Sequence, residues 1–182
     1  DMYNQYRELE SGYNYIDKTG CLQKEIERFP SVYIEGSAGC GKTTMMRLLL
    51  KKHPEVDYTV LWMDEADEKS YTHYVDKYVD KCSKCVDKYV DKQVDNSKWL
   101  ILENVPGNLS AHTAGIIRQC IRGLRGQDRV ILIGRDEIPS ELLDIFWNRE
   151  MGLVIQNSML LSQDEIGCLA NHYGSSVSSE QL

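Results

Sequence analysis

"SVYIEGSAGCGKTTMMRLLL", residues 31–50, decides the fold. "SVYIEG" (31–36) reads as a buried strand, and the "TTMMRLLLKKH" stretch beginning at Thr43 reads as a helix opening directly from the turn that follows. Between them, Gly36-Ser37-Ala38-Gly39-Cys40-Gly41-Lys42-Thr43 satisfies the spacing G-x-x-x-x-G-K-[ST]. Glycine at these places lets the backbone curl until successive N–H groups point at one anion. A helix starting at Lys42 or Thr43 adds its positive end. Lys42 reaches β- and γ-phosphates as a point charge. The Thr43 hydroxyl is the expected magnesium ligand. Thr44 completes the phosphate-side set, and Cys40 contributes its backbone.

The same alternation continues outward. "YTVLWMD" (58–64), "KWLILEN" (98–104), "RVILIGR" (129–135) and "GLVIQ" (152–156) are further strands, each a nearly continuous apolar run. Such runs fit parallel strands covered on both faces. Helices fit between them. Asp17 caps one running to about Arg28, and Ser110 caps one stopping near Gly126. Pro139 opens one over "PSELLDIFW", and Ser162 and Glu165 have capping-box spacing before a helix that Gly174 can end. The reading is an α/β domain with a five-stranded parallel sheet and helices on both faces. It divides into a lead-in (1–16), a phosphate-binding domain (17–158) and the start of a helical module (159–182). Residues 74–95 nearly repeat Tyr-Val-Asp-Lys. Their apolar positions at steps of three or four predict one amphipathic helix.

The chain has 182 residues and a net charge of -7, so nucleic-acid binding by this piece is not expected. No apolar run approaches the ~20 residues that span a bilayer. Six cysteines without an export signal fit a reduced, cytoplasmic protein. Cys82-Ser83-Lys84-Cys85 lacks the second ligand pair that a structural zinc site needs.

A phosphate loop of this kind works with an acid at the end of another strand. "VLWMDE" ends in Asp64-Glu65, and "WLILEN" ends in Glu103-Asn104. By local pattern the first fits better, and the second remains open.

The ordered set "YIDKTGCLQKEIE", "VYIEGSAGCGKTT", "VLWMDEADE", "WLILENV", "RVILIGRDEIPSEL" and "GLVIQNSMLLSQDEIGCLA" resembles the nucleotide-binding domain of STAND ATPases (signal transduction ATPases with numerous domains). It is most similar to the branch found in large bacterial transcriptional activators of the maltose-regulator (LuxR-family) type. The resemblance implies a P-loop NTPase fold with strand order 5-1-4-3-2, which brings Glu103 nearer the phosphates than Asp64. It implies Glu103 with Thr43 as the magnesium side, Arg135 on the γ-phosphate and Ile16 against the adenine. Asn104 departs from the family's usual second acid. An amide orients a water but is a poor base, so slow hydrolysis or none is expected. The implied function is an ATP/ADP switch with magnesium, whose partners are other domains of a longer chain or copies of itself. The rival expectation is a phosphotransferase or general NTPase using Asp64 and Glu65.

Overall fold

The computed structural model describes residues 6–11, 15–63, 73 and 97–172. Five strands, β1 (Ser31–Glu35), β2 (Asp57–Trp62), β3 (Lys98–Val105), β4 (Arg129–Gly134) and β5 (Met151–Val154), form one sheet in the order β2-β3-β4-β1-β5. Every pairing is parallel. This is the expected order, counted from the other edge. The helices are α1 (Thr19–Arg28), α2 (Lys42–Lys52), α3 (Ala111–Arg122), α4 (Leu143–Trp147) and α5 (Gln163–His172).

Side chains alternate across a strand, so each strand feeds two cores. Val32, Ile34, Ile101, Ile131 and Ile133 pack with Leu22 and Ile26 of α1 and Met46, Leu49 and Leu50 of α2. Tyr33, Leu100, Leu102, Val130 and Leu132 pack with Ile117, Cys120 and Ile121 of α3 and Ile145 of α4. Burial on both faces explains the unbroken apolar runs. Each fully buried aliphatic side chain contributes about 1.5–3 kcal/mol.

Local chemistry sets the helix ends. Asp17 Oδ1 accepts from Thr19 N at 2.9 Å and Thr19 Oγ1 at 2.6 Å, at the start of α1. Ser110 Oγ accepts from Thr113 N at 3.1 Å and caps α3. The box before α5 is reciprocal: Ser162 N donates to Glu165 Oε2 at 2.7 Å, and Glu165 N to Ser162 Oγ at 3.3 Å.

Several ends differ from expectation. Helix α3 stops at Arg122, with Gly123 as its C-cap. Glycine is the poorest ordinary helix former, and Asp128 N bonds Arg125 O at 2.9 Å in a separate turn. Pro139 (ψ 136) precedes a short 3-10 turn (Ser140–Leu142), and the α-helix begins only at Leu143. Strand β5 ends at Val154, because Gln156 opens another 3-10 turn (Gln156–Ser158). The repeat at 74–95 with Cys82 and Cys85, the acids Asp64 and Glu65, and Gly174 lie outside the described residues.

Helix α1 crosses β5 closely at Gly152. A Cβ there would lie 2.4 Å from Glu25 Oε2 and 2.7 Å from the Phe29 ring. Gly152→Ala is expected to cost about 1–3 kcal/mol by overpacking. Urea unfolding should show a lower midpoint at unchanged slope.

Candidate functional site

The loop between β1 and α2 owes its curl to two left-handed glycines, Gly39 (φ 79°) and Gly41 (φ 97°). A side chain at either would be strained. Gly41 is the N-cap of α2 and offers no side-chain acceptor, so the first helical amides are free of a capping group. The Lys42 ammonium donates to Gly36 O and, at 2.7 Å, to Ser37 O, and so closes the curl from inside. Gln156 grips the mouth of the loop, its Oε1 accepting from Ser37 N and Ser37 Oγ at 2.9 Å each. On the other side Gly36 N donates to Gly134 O of β4 at 3.3 Å.

On the β3–β4 side of the loop lies a cavity of about 260 Å³. It is lined by Ala38, Gly39, Gly41, Lys42, Thr43 and Thr44 from the loop and helix, Glu103 and Asn104 from β3, and Arg135 after β4. Glu103, Asn104 and Arg135, expected from sequence on the phosphate side, are therefore brought to one place with most of the loop. A bulge makes this possible. Strand β3 advances three residues from Leu102 to Val105 while β4 advances two, Leu132 to Gly134. Asn104 takes φ 55°. In a regular strand neighbours face opposite ways; the bulge lets Glu103 and Asn104 share one cavity.

Glu103 is 1 % exposed. Thr43 Oγ1 donates to its Oε1 at 3.0 Å, and the Tyr6 hydroxyl donates to the same oxygen. Burial pushes the Glu103 carboxyl up, opposed by the Tyr6 and Thr43 hydroxyls and by the charges of Arg47 and Lys42. Burial and the Glu103 charge push the Tyr6 phenol upward, so it remains a donor. Arg135 is exposed at the rim. Its loop is held from beneath: Tyr33, from the core of β1, passes under Gly134, where a Cβ would lie 2.0 Å from the phenol oxygen. That phenol donates to Asp136 O at 3.0 Å.

A second cavity, of about 350 Å³, opens on the other side of the loop and shares Gly39, Gly41 and Thr44 with the first. Tyr15, Ile16 and Lys18 form one wall, Met45 and Leu48 of α2 another, and Met159, Leu160, Leu161 and Leu169 the third. An ion pair, Lys18 Nζ to Glu165 Oε2 at 2.7 Å, ties the first wall to the third. Ile16, expected against an adenine, is one of the residues of the first wall. Cys40 lines this cavity too.

Tyr6, Gln156, Tyr33 and the Met159–Leu161 wall were missed by sequence reasoning. Adjacent Leu160 and Leu161 in an otherwise polar stretch were a usable signal; a lone tyrosine or glutamine carried none. Among the described residues no cluster of three or more His, Cys, Asp or Glu could hold a metal, and no helix is long and apolar enough to cross a membrane.

No protein-family model and no curated protein matches the chain. Among solved structures it is similar to a Walker-type ATPase of Pyrococcus abyssi, at 9% identity and a TM-score of 0.53, over 97% of this chain and 65% of that one. Trip13 in the HORMA:CdnC:Trip13 complex of E. coli MS115-1 is similar at 14% identity and a TM-score of 0.49, over 85% of this chain and 58% of that one. C. elegans PCH-2 is similar at 12% identity and a TM-score of 0.46, over 90% and 47%. The chain spans about half to two thirds of the length of these structures. At such identities the likeness concerns the fold alone, an α/β P-loop NTPase fold.

The pin beneath Gly134 is testable. Tyr33→Phe is expected to cost about 1 kcal/mol for the lost hydrogen bond. Amide exchange should quicken in residues 135–138 by more than the uniform increase that the lower global stability brings to β1.

Proposed function

We propose that this domain is an ATP- and ADP-binding switch of the STAND type. On this reading it is the nucleotide-binding core of a signal-transducing, transcription-regulating protein, with slow hydrolysis. The observation that carries the reading is the pair of cavities meeting at the phosphate loop, one polar with a single carboxylate among its described residues, one largely apolar. The triphosphate would lie in the loop of residues 36–44, on the amides at its helix end and with Lys42. The base would lie between Ile16, Leu48 and Leu161.

The hard oxygen donors of Thr43 and Glu103, 3.0 Å apart at the polar cavity, suit magnesium. Bound there, the ion would neutralise charge on the β- and γ-phosphate oxygens. Asn104 orients a water with its amide. Arg135 at the rim takes the γ-phosphate and would distinguish ATP from ADP. With Glu103 engaged by two hydroxyls and Asn104 unable to act as a base, proton removal from the attacking water is inefficient. The partners are other domains of a longer chain, or copies of this one in the ATP state. The rival enzyme reading, through Asp64 and Glu65, is disfavoured by the sheet order: β2 is the edge strand, with β3 and β4 between it and β1.

The expected outcome is phosphate release below about 0.1 per second in saturating magnesium and ATP, against ~10 per second for a typical enzyme. Glu103→Ala should remove the magnesium dependence, and Asp64→Ala should leave it. ADP retained through purification, seen by native mass spectrometry, supports a resting switch. Typical enzyme turnover that Asp64→Ala abolishes would overturn the reading in favour of the rival.

A further inference from the structure

The acid of the polar cavity is held by a residue distant from it in sequence. Tyr6 is 97 positions from Glu103, 6 % exposed, and donates to Glu103 Oε1. The reason it is there begins with β2. As the edge strand, β2 turns Tyr58, Val60 and Trp62 to the α2 side of the sheet, and Tyr6 covers that face. Its ring lies 6.1 Å from Tyr58 and 6.2 Å from Trp62, edge-on to the latter. The Arg47 guanidinium of α2 stands over it at 5.0 Å. Trp62 pairs in register with Glu103, so a ring packed on Trp62 is carried up to the carboxylate. Arg7 fastens the strap below, its Nη2 donating to Val56 O at 2.7 Å and its backbone N to Tyr58 Oη at 3.2 Å.

We infer that Tyr6 is a positioning residue for Glu103, and that the strap around residues 6–7 completes the magnesium side of the site. This rests on the function proposed above. Both hydroxyl donors, Thr43 and Tyr6, converge on Oε1; among the described residues none hydrogen-bonds Oε2. A carboxylate clamped by one oxygen keeps its orientation and leaves the other for a cation or its water shell. Thr43 alone is a single pivot about which the group can turn. The phenol adds the second anchor without adding charge, so it holds the acid without competing with the metal. Undocking the strap would release Glu103 while leaving the phosphate loop intact.

The test is calorimetric titration of the whole chain with ATP, with magnesium and with a chelator in its place. Tyr6→Phe keeps the ring and its packing and removes only the hydroxyl. Its affinity for ATP should fall about tenfold in magnesium, the worth of one hydrogen bond to a charged group, and stay within about twofold in chelator. In a Glu103→Gln background the same change should cost nothing further, because Tyr6 acts through that carboxylate. Equal losses with and without magnesium would make Tyr6 merely structural and overturn the inference, as would a Tyr6→Phe chain indistinguishable from the parent. A parent chain that binds ATP equally with and without magnesium would overturn the magnesium reading of Glu103 and this inference together, while leaving nucleotide binding in place.

Discussion

The site depends on a backbone constraint: a chain segment that must reverse between a buried strand and a buried helix while leaving the amides of the helix start without a capping side chain. Gly39 and Gly41 supply the left-handed conformations, and Gly41 starts α2 without a capping side chain. The uncapped helix start is a cost to the fold alone, since unmet helical amides are normally satisfied. It is useful if an anion meets them. The rest of the neighbourhood keeps this loop open: Gln156 holds Ser37 from one side, Gly134 holds Gly36 from the other, and Lys42 occupies the inner carbonyls.

Topology then determines which residues can reach that loop. The chain leaves β1 through α2, crosses to the far edge at β2, and returns through β3 and β4 to β1's side. The ends of β3 and β4 therefore bring Glu103 and Arg135 to the open face of the loop. The end of β5 leads through Gln156 to Met159 and the apolar cavity on its other face. Ligands of open α/β sheets bind at such carboxyl-end crevices. The bulge at Asn104 and the tyrosine under Gly134 are small adjustments on this frame, each turning a strand end toward the cavity.

What could be read from the sequence was what is local. The loop's spacing carries its own chemistry, so Gly36 to Thr44 were readable without a fold. The five strands were readable because burial on both faces writes continuous apolar runs. The strand order was not readable from periodicity; it came with the family resemblance, and with it the preference for Glu103 over Asp64. The remaining features are long-range and use ordinary residues. Tyr6 meets Glu103 across 97 positions and Gln156 meets Ser37 across 119, with no spacing to betray either. The bulge was hidden too: asparagine tolerates positive φ, but only the register against β4 reveals that Asn104 uses it. Helix α3 ended early for a plainer reason, the first of two glycines rather than the second acting as its stop.

The amide-lined loop as a triphosphate site is tested most directly by isothermal calorimetry of ATP in magnesium with the parent chain and with Lys42→Ala. The parent should bind one ATP per chain, and the variant, folded to the same melting temperature within a few degrees, should bind at least about a hundredfold more weakly, the loss of a charge-assisted contact to phosphate. ATP binding of equal strength in the two proteins, or no binding by the parent, would contradict it.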